Sequence, residues 1–327
     1  MRRRLVNFAV YLFAIADQTT SGMFTNAWQK SKKLLGFKAG LPYLELHLTD
    51  HCNLNCRGCA HFCPIAEKWF ANPVTYARDM LQLRKLFSTI QVIRLMGGDP
   101  LLHPKLEFFL PFTRSCFPKA DIRLVTNGIL LFEMPSSFWD ACRTNSITID
   151  VTVYPPLRSQ ESFFVELANS KRVKIQLLRP EKFFAVYNKN GNSEIGTSFR
   201  NCVMKTPNLR EGKLYHCPFN AYSHNFNRQY GTRIPIPMPV NIYAPKLSGW
   251  DVIELLSKAP STCRYCTLGW DIIPTFPWSK SKRIMTEWEA TINKSSKDWL
   301  ANPLTHKKTR VNSVKKATSN PRTEGKA

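Results

Sequence analysis

Between Tyr43 and Leu178 the sequence alternates short β-branched or apolar runs with stretches of helical spacing, and this rhythm constrains the fold most. Strand-like segments are expected at Tyr43–Thr49, Val92–Met96, Asp121–Thr126, Ile147–Tyr154 and Val173–Leu178. Helices are expected between them. Asn72-Pro73 reads as an N-cap with proline at the first helical position. Tyr76, Met80, Leu83 and Phe87 follow at helical spacing. Further helices are expected at Lys105–Phe117, Ser136–Arg143 and Glu161–Ser170. Strands alternating with helices predict a parallel sheet, open or rolled into a barrel. Functional groups should then collect at the C-terminal strand ends.

Two strands add a second constraint. In Ile147–Tyr154 the residues Ile147, Ile149, Val151 and Val153 share one face, and Thr148, Asp150, Thr152 and Tyr154 share the other. In Tyr43–Thr49, Glu45, His47 and Thr49 likewise share a face. If helices cover the apolar face, the polar face lines an interior, as in a barrel lumen. The other reading is an open sheet face in contact with water.

After residue 180 the rhythm stops. Gly and Asn cluster at 188–192 and prolines crowd 234–239, so a smaller domain is expected over 181–300. The chain then divides into a basic N-terminal segment at 1–42, a β/α core at 43–180, that smaller domain, and a polar, basic tail at 301–327, expected to be disordered.

The formal net charge is +23, but residues 1–38 and 305–327 contribute +6 each, so +12 sits at the ends. The charge therefore does not require a nucleic-acid face. Arg2, Arg3 and Arg4 precede the apolar run Leu5–Ala16, and Trp28, Lys30, Lys32 and Lys33 follow it. Three readings stay open for that run: an amphipathic helix on a membrane surface, a helix docked on the protein's own core, or a secretory signal, against which stand Asn7 within the apolar run and the oxidising space into which export would carry thiolate metal sites. At twelve residues it is too short to span a bilayer. A cytoplasmic location is expected, with peripheral membrane contact through the N-terminus on the first reading.

Ten cysteines are unevenly placed. Eight form three groups: Cys52, Cys56, Cys59 and Cys63; Cys202 and Cys217; Cys263 and Cys266. Cys116 and Cys142 stand alone in helical segments and read as buried hydrophobes. Grouped thiols of this kind predict metal ligation in a reducing compartment. The stretch Cys52-x3-Cys56-x2-Cys59 directly follows a strand. Three thiolates on one loop can hold three irons of a [4Fe–4S] cube and leave the fourth open. Zinc is the alternative, with His61 or Cys63 as a closing ligand.

This cysteine spacing after the first strand of a β/α repeat resembles the radical S-adenosylmethionine (SAM) superfamily. Met96-Gly97-Gly98-Asp99-Pro100 ends the second strand, where that superfamily has its Gly-Gly-Glu motif. Thr126-Asn127-Gly128 ends the third strand, again as in many members. The resemblance covers about residues 43–180. It implies an α/β fold, a partial (β/α)6 TIM-like barrel with a small C-terminal auxiliary-cluster domain.

It also implies that Cys52, Cys56 and Cys59 ligate a [4Fe–4S] cluster whose open iron chelates SAM. Gly97, Gly98, Asp99, Thr126, Asn127, Thr152 and Tyr154 are then the expected cofactor contacts. The residue before the third cysteine is commonly aromatic in this superfamily, whereas here it is Gly58, which shifts the expected adenine contact to Phe62. Cys63 is extra, and reads either as a packed loop thiol or as a hydrogen donor.

Beside such a core, Cys202-x9-Gly212-x4-Cys217 followed by Cys263-x2-Cys266 is similar to the auxiliary-cluster domain called SPASM. With four cysteines it resembles the shortened Twitch form, which holds a second [4Fe–4S] cluster. A structural zinc is the other reading of the same four thiols. The expected activity is oxidation or epimerisation of a sugar or polyol. A peptide maturase and an RNA modifier are the alternatives. The expected partners are a small-molecule or glycan substrate and a flavodoxin- or ferredoxin-type electron donor, without nucleic acid.

Overall fold

The computed structural model describes residues 33–180 and 182–290. The expectations for Arg2–Arg4, Leu5–Ala16, Trp28, Lys30, Lys32 and the tail at 301–327 lie outside those residues. Among the described residues no helix is long and apolar enough to cross a membrane.

Strand β1 (Ala39–Thr49) leads through the cysteine loop to helix α1 (Pro73–Leu86). The Asn72 side chain accepts hydrogen bonds from the Val74 and Thr75 amides, with Pro73 at the first helical position. The helix buries Tyr76, Met80, Leu83 and Leu86. It runs into β2 (Phe87–Gly97) with no connecting loop. Phe87 thus belongs to the strand and not to the helical stripe: its amide still bonds to the Leu83 carbonyl, but its backbone is extended.

The chain continues through α2 (Leu106–Cys116), β3 (Asp121–Thr126), α3 (Ser136–Thr144), β4 (Thr148–Thr152), α4 (Glu161–Ser170) and β5 (Ile175–Leu178). Beyond it lie β6 (Phe183–Phe184), α5 (Ile195–Asn201), β7 (Asn208–Arg210), β8 (Lys213–Tyr215) and α6 (Pro218–Tyr230). Strand β9 (Val240–Asn241), helix α7 (Gly249–Ser257) and strand β10 (Thr275–Phe276) complete the elements used below.

The main sheet runs β5-β4-β3-β2-β1-β7-β8-β9. Strands β1 to β5 pair parallel in sequence order, and β7 joins the free edge of β1, also parallel. A sixth parallel strand therefore comes from beyond residue 180 and lies beside β1, at the edge opposite β5. Strands β7 and β8 form a hairpin whose central residues, Glu211 and Gly212, both have positive φ. That geometry matches the right-handed twist of the flanking strands. Gly212 also donates its amide to the Asp79 carboxylate on α1.

Parallel strands in consecutive order with right-handed crossovers carry their helices on one face. That face is apolar: Leu44, Leu46, Leu48, Ile93, Leu95, Ile122, Leu124, Ile149 and Val151 are all buried in one cluster. Each such side chain contributes on the order of 1.5–3 kcal/mol. Cys116 and Cys142 sit in this cluster as buried thiols.

The opposite face is polar: Glu45, His47, Thr148 and Asp150 are buried in it, and Arg94, Arg123 and Gln176 are half-buried. Register pairs Glu45 with Arg94, Arg94 with Arg123, and Arg123 with Thr148. Across these strands Arg123 bonds Gln176 at 2.9 Å, and Asp150 meets both Arg94 at 3.1 Å and Arg123 at 3.4 Å. Tyr43 donates to Glu45 at 2.7 Å, and Asn208 donates to the same carboxylate at 2.8 Å. A continuous polar ladder therefore crosses the sheet. Helix α6 lies over its β1 end, with Tyr222 stacked on His47 at 4.0 Å between ring centroids.

Past residue 180 the chain also builds a second apolar cluster, which includes Val186, Phe219, Tyr222, Phe226, Leu268 and Trp288.

Candidate functional site

The C-terminal ends of β1, β2 and β3 converge on the cysteine loop. Asp50, just past β1, pairs with Arg210 of β7 and meets the His47 imidazole at 3.2 Å. Arg210 in turn lies 4.0 Å over the Trp69 ring. The base of the loop is thereby fixed by buried, paired charges.

The three expected ligands differ in surroundings. The Cys52 sulfur accepts the Leu54 amide at 3.4 Å and the Asn127 side-chain amide at 3.6 Å. The Cys56 sulfur accepts the Trp278 indole N–H at 3.1 Å. Cys59 is hydrogen-bonded to Cys63, which, with help from His61, holds its thiol well below the ordinary range despite burial. Burial pushes Cys52 up to about 12 and raises Cys56 as well. Loading a metal group on this loop must therefore displace protons. Among the described residues no three His, Cys, Asp or Glu side chains converge as ligands of one ion would. The three thiols, with hydrogen bonds donated to the Cys52 and Cys56 sulfurs, are a donor set that fits an iron–sulfur cluster.

At the end of β2, Gly97 has φ +144°, and a Cβ there would lie 2.0 Å from the Thr49 carbonyl oxygen. A Cβ on Gly98 would lie 1.9 Å from the His51 carbonyl oxygen. The Gly98 amide donates to Thr49 at 2.8 Å and the Asp99 amide to His51 at 3.2 Å. Both glycines are thus required by close backbone approach to the start of the cysteine loop. Gly98→Ala should accordingly destabilise the chain by about 3 kcal/mol, lowering Tm by roughly 6–12 °C. Gly40→Ala is the control, since its Cβ would meet the Thr89 hydroxyl at 3.0 Å. Equal melting temperatures for the two variants would contradict the close-approach argument.

Asp99 is fully buried and its carboxylate is taken up within the protein. It accepts from the Thr126 hydroxyl at 2.8 and 3.0 Å, from the Asn127 amide at 2.8 Å and from the Leu101 amide at 3.0 Å. Burial outweighs these bonds and raises its pKa to about 6. Its effect on any ligand is thus indirect, by tying the end of β2 to the end of β3. Thr126 is part of the same bracket, its oxygen also accepting the Gly128 amide at 3.0 Å. Asn127 is different: besides touching Cys52 it donates to the Asn53 side chain at 2.7 Å.

At the end of β4, Thr152 is half-buried. Tyr154 lies near all four loop cysteines, whose proximity adds to burial in raising its phenol. Its ring stacks on Phe183 at 5.7 Å. Phe62, expected at the adenine side, is instead fully buried in the second apolar cluster. It packs on Phe226 at 5.3 Å, Phe219 at 5.8 Å and Trp288 at 6.0 Å. A positive φ of 56° turns it inward at that point. Cys63 is buried, with its sulfur 3.9 Å from the Gly97 carbonyl oxygen.

Cys202, Cys217, Cys263 and Cys266 all line one mainly apolar pocket. Phe219, Leu268 and Met204 share the lining. Backbone amides of Met204, Asn220 and Leu268 donate to the sulfurs of Cys202, Cys217 and Cys266 at 3.4, 3.4 and 3.5 Å. Burial raises Cys217 to about 12 and Cys263 to about 11, and the neighbouring thiols add to it at both. Three separate chain segments thus bring four thiols to one space.

Sequence reasoning did not find the segment from Phe276 to Trp288. A Cβ on Gly58 would lie 2.3 Å from the Phe276 ring, so the missing side chain of the loop is the space of a ring from far along the chain. Trp278 reaches Cys56, and the Trp288 indole donates to the Cys59 carbonyl at 2.8 Å. Aromatic residues in a proline-rich stretch carry no period that would announce such contacts.

No protein-family model matches the chain. It is 32% identical over 108 residues to a GTP 3′,8-cyclase of Aliarcobacter butzleri (strain RM4018), covering 32% of this chain and 33% of that protein. It is 31% identical over 107 residues to a GTP 3′,8-cyclase of Nautilia profundicola (strain ATCC BAA-1463 / DSM 18972 / AmH), covering 32% and 33%. The chain thus matches about a third of the length of these curated relatives. Among solved structures, BtrN in complex with AdoMet and 2-DOIA aligns over 73% of this chain and 100% of that chain, with TM-score 0.47 and 16% identity. Native anSMEcpe with bound AdoMet aligns over 71% and 84%, with TM-score 0.45 and 13% identity. The similarity in sequence, with the cysteine loop placed against the Gly-Gly-Asp turn, agrees with the resemblance to the radical SAM superfamily.

Proposed function

We propose that this chain is a radical SAM enzyme that oxidises or epimerises a sugar or polyol. The carrying observation is the loop of Cys52, Cys56 and Cys59 held against Gly97–Gly98, with a second four-cysteine pocket in the same chain. When bound, a [4Fe–4S] cluster and SAM on that loop supply a 5′-deoxyadenosyl radical that abstracts hydrogen from a substrate carbon. The chain's own residues bind and orient. Cys52, Cys56 and Cys59 would hold three irons, and Gly97 and Gly98 let the end of β2 press against the start of that loop. Asn127 and Tyr154 border the cysteines from the ends of β3 and β4.

The pocket of Cys202, Cys217, Cys263 and Cys266 would hold a second [4Fe–4S] cluster, able to accept an electron from a substrate radical and so complete its oxidation. A flavodoxin- or ferredoxin-type protein would deliver the electron that starts the cycle.

The polar, buried sheet face supports a hydroxyl-rich substrate. Among the described residues, His47 Nε2, Asp150 Oδ1, Asn208 Oδ1 and the Tyr222 hydroxyl have no hydrogen-bond partner. Buried polar atoms of this kind call for a ligand or water. A guanosine nucleotide is the second substrate class, favoured by the similarity to GTP 3′,8-cyclases.

Anaerobic reconstitution followed by metal and sulfide analysis should give about eight irons and eight sulfides per chain for two cubes. About four irons with one zinc would remove the second cluster and keep the first. The loaded chain, reduced with dithionite, should release 5′-deoxyadenosine from SAM. Turnover above that background with polyols, with GTP or with peptides then assigns the substrate class. Stimulation by GTP alone would overturn the sugar reading.

A further inference from the structure

The C-terminal stretch of the described chain crosses the cysteine loop as a strap. Strand β10 starts it, pairing antiparallel with β6 through Thr275 with Phe184 and Phe276 with Phe183. The Phe276 ring then occupies the space above Gly58, and the Arg57 guanidinium lies 4.4 Å over that ring. Next, the strap bonds to the loop backbone. Arg57 donates its amide to the Ser279 carbonyl at 2.9 Å, and Ser281 donates to the Asn55 carbonyl at 2.8 Å. These two bonds bracket an antiparallel bridge between Cys56 and Lys280. Glu287 anchors the far end, accepting from the Ser281 hydroxyl and from the Lys282 amide. Between these fixed points Trp278 points its indole N–H at the Cys56 sulfur, 3.1 Å away.

We infer that Trp278 is a positioning and tuning residue that sets the reduction potential of the metal group ligated by Cys56. This rests on the reading that Cys52, Cys56 and Cys59 hold an iron–sulfur cluster. A hydrogen bond donated to a thiolate sulfur draws electron density from the metal–sulfur bond and favours the more negative, reduced state. The Cys56 sulfur is 8% exposed as a residue, so water competes little for it. The Asn127 contact to Cys52 is longer, at 3.6 Å, and comes from an amide that is already donating to Asn53. The indole bond is the shorter and better sheltered of the two. One electron passes from an external reductant to the cluster, and the indole proton stays on Trp278 in both states.

Two full-length variants test this: Trp278→Phe keeps the ring but lacks the N–H, and Trp278→His keeps a ring N–H. The loaded proteins are titrated with dithionite and mediators, following by electron paramagnetic resonance the signal that SAM perturbs. Trp278→Phe should lower the reduced-to-oxidised ratio at a fixed poise by up to about tenfold, equal to about 59 mV for one electron. Trp278→His should stay closer to the wild type. A wild-type midpoint in Trp278→Phe, or equal shifts in both variants, would overturn the inference, because packing and not the N–H would then set the potential. If Trp278→Phe does not load a cluster, a loaded Trp278→His near the wild-type midpoint supports the donor role, and its failure to load overturns it. A wild-type chain without a SAM-perturbed signal refutes the cluster reading itself and is thereby told apart.

Discussion

Replacing Cys52, Cys56 and Cys59 together by Ala should abolish SAM cleavage and remove about four irons per chain. Each of these thiols sits on one short loop whose path is fixed from several sides. Asp50 and Arg210 pin its base, the Gly97–Gly98 turn presses on its start, and Trp288 holds the Cys59 carbonyl. None of these contacts needs a sulfur, so the loop keeps its course in the variant and only the ligands are lost. The control is Cys116→Ala, whose thiol lies in the helix-side core. That variant should lose about 1 kcal/mol of stability and no iron. The measurements are iron per chain and 5′-deoxyadenosine formed under dithionite. Release at the wild-type rate from the triple variant would show that the loop is not the site of SAM chemistry.

Much of this site can be traced to the sequence for a physical reason. Period-two alternation put Glu45, His47 and Thr49 on one face, and the folded sheet buries that face. Gly97 and Gly98 stand out in sequence because only glycine tolerates such backbone contact, and the structure places both against the end of β1.

What stayed hidden depends on contacts between distant segments. Nothing local tells that Phe276 will lie over Gly58, or that β7 will take the free edge of β1. Phe62 shows the complementary error. An aromatic residue beside a cysteine motif can face a ligand or a core, and the sequence holds no period over three residues to decide. Here the left-handed turn at Phe62 itself points the ring into the core. Asp99 is intermediate: its position was legible, but its role as a bracket between two strand ends depends on Thr126 and Asn127 meeting it in space.

Replacing Cys263 and Cys266 by Ala should separate SAM cleavage from product formation. These two thiols share one apolar pocket with Cys202 and Cys217, and the amide bonds to three of the four sulfurs come from the pocket's own backbone. The Cys52 sulfur takes its bonds from Leu54 and Asn127 instead. The two sets therefore have separate supports, and losing one does not unmake the other. Iron should fall from about eight to about four per chain while 5′-deoxyadenosine still forms. Substrate turnover should fall to background, because a substrate radical formed by hydrogen abstraction has no neighbouring acceptor for its electron. Alanine is the substitution of choice: Cys266 is 8% exposed and shares its apolar cluster with Phe62, so a polar group there would unsettle the loop as well. A structural zinc makes a different prediction, with one zinc lost, about four irons kept and a lowered Tm. Unchanged iron and unchanged turnover in this variant would mean that the four-cysteine pocket serves neither purpose.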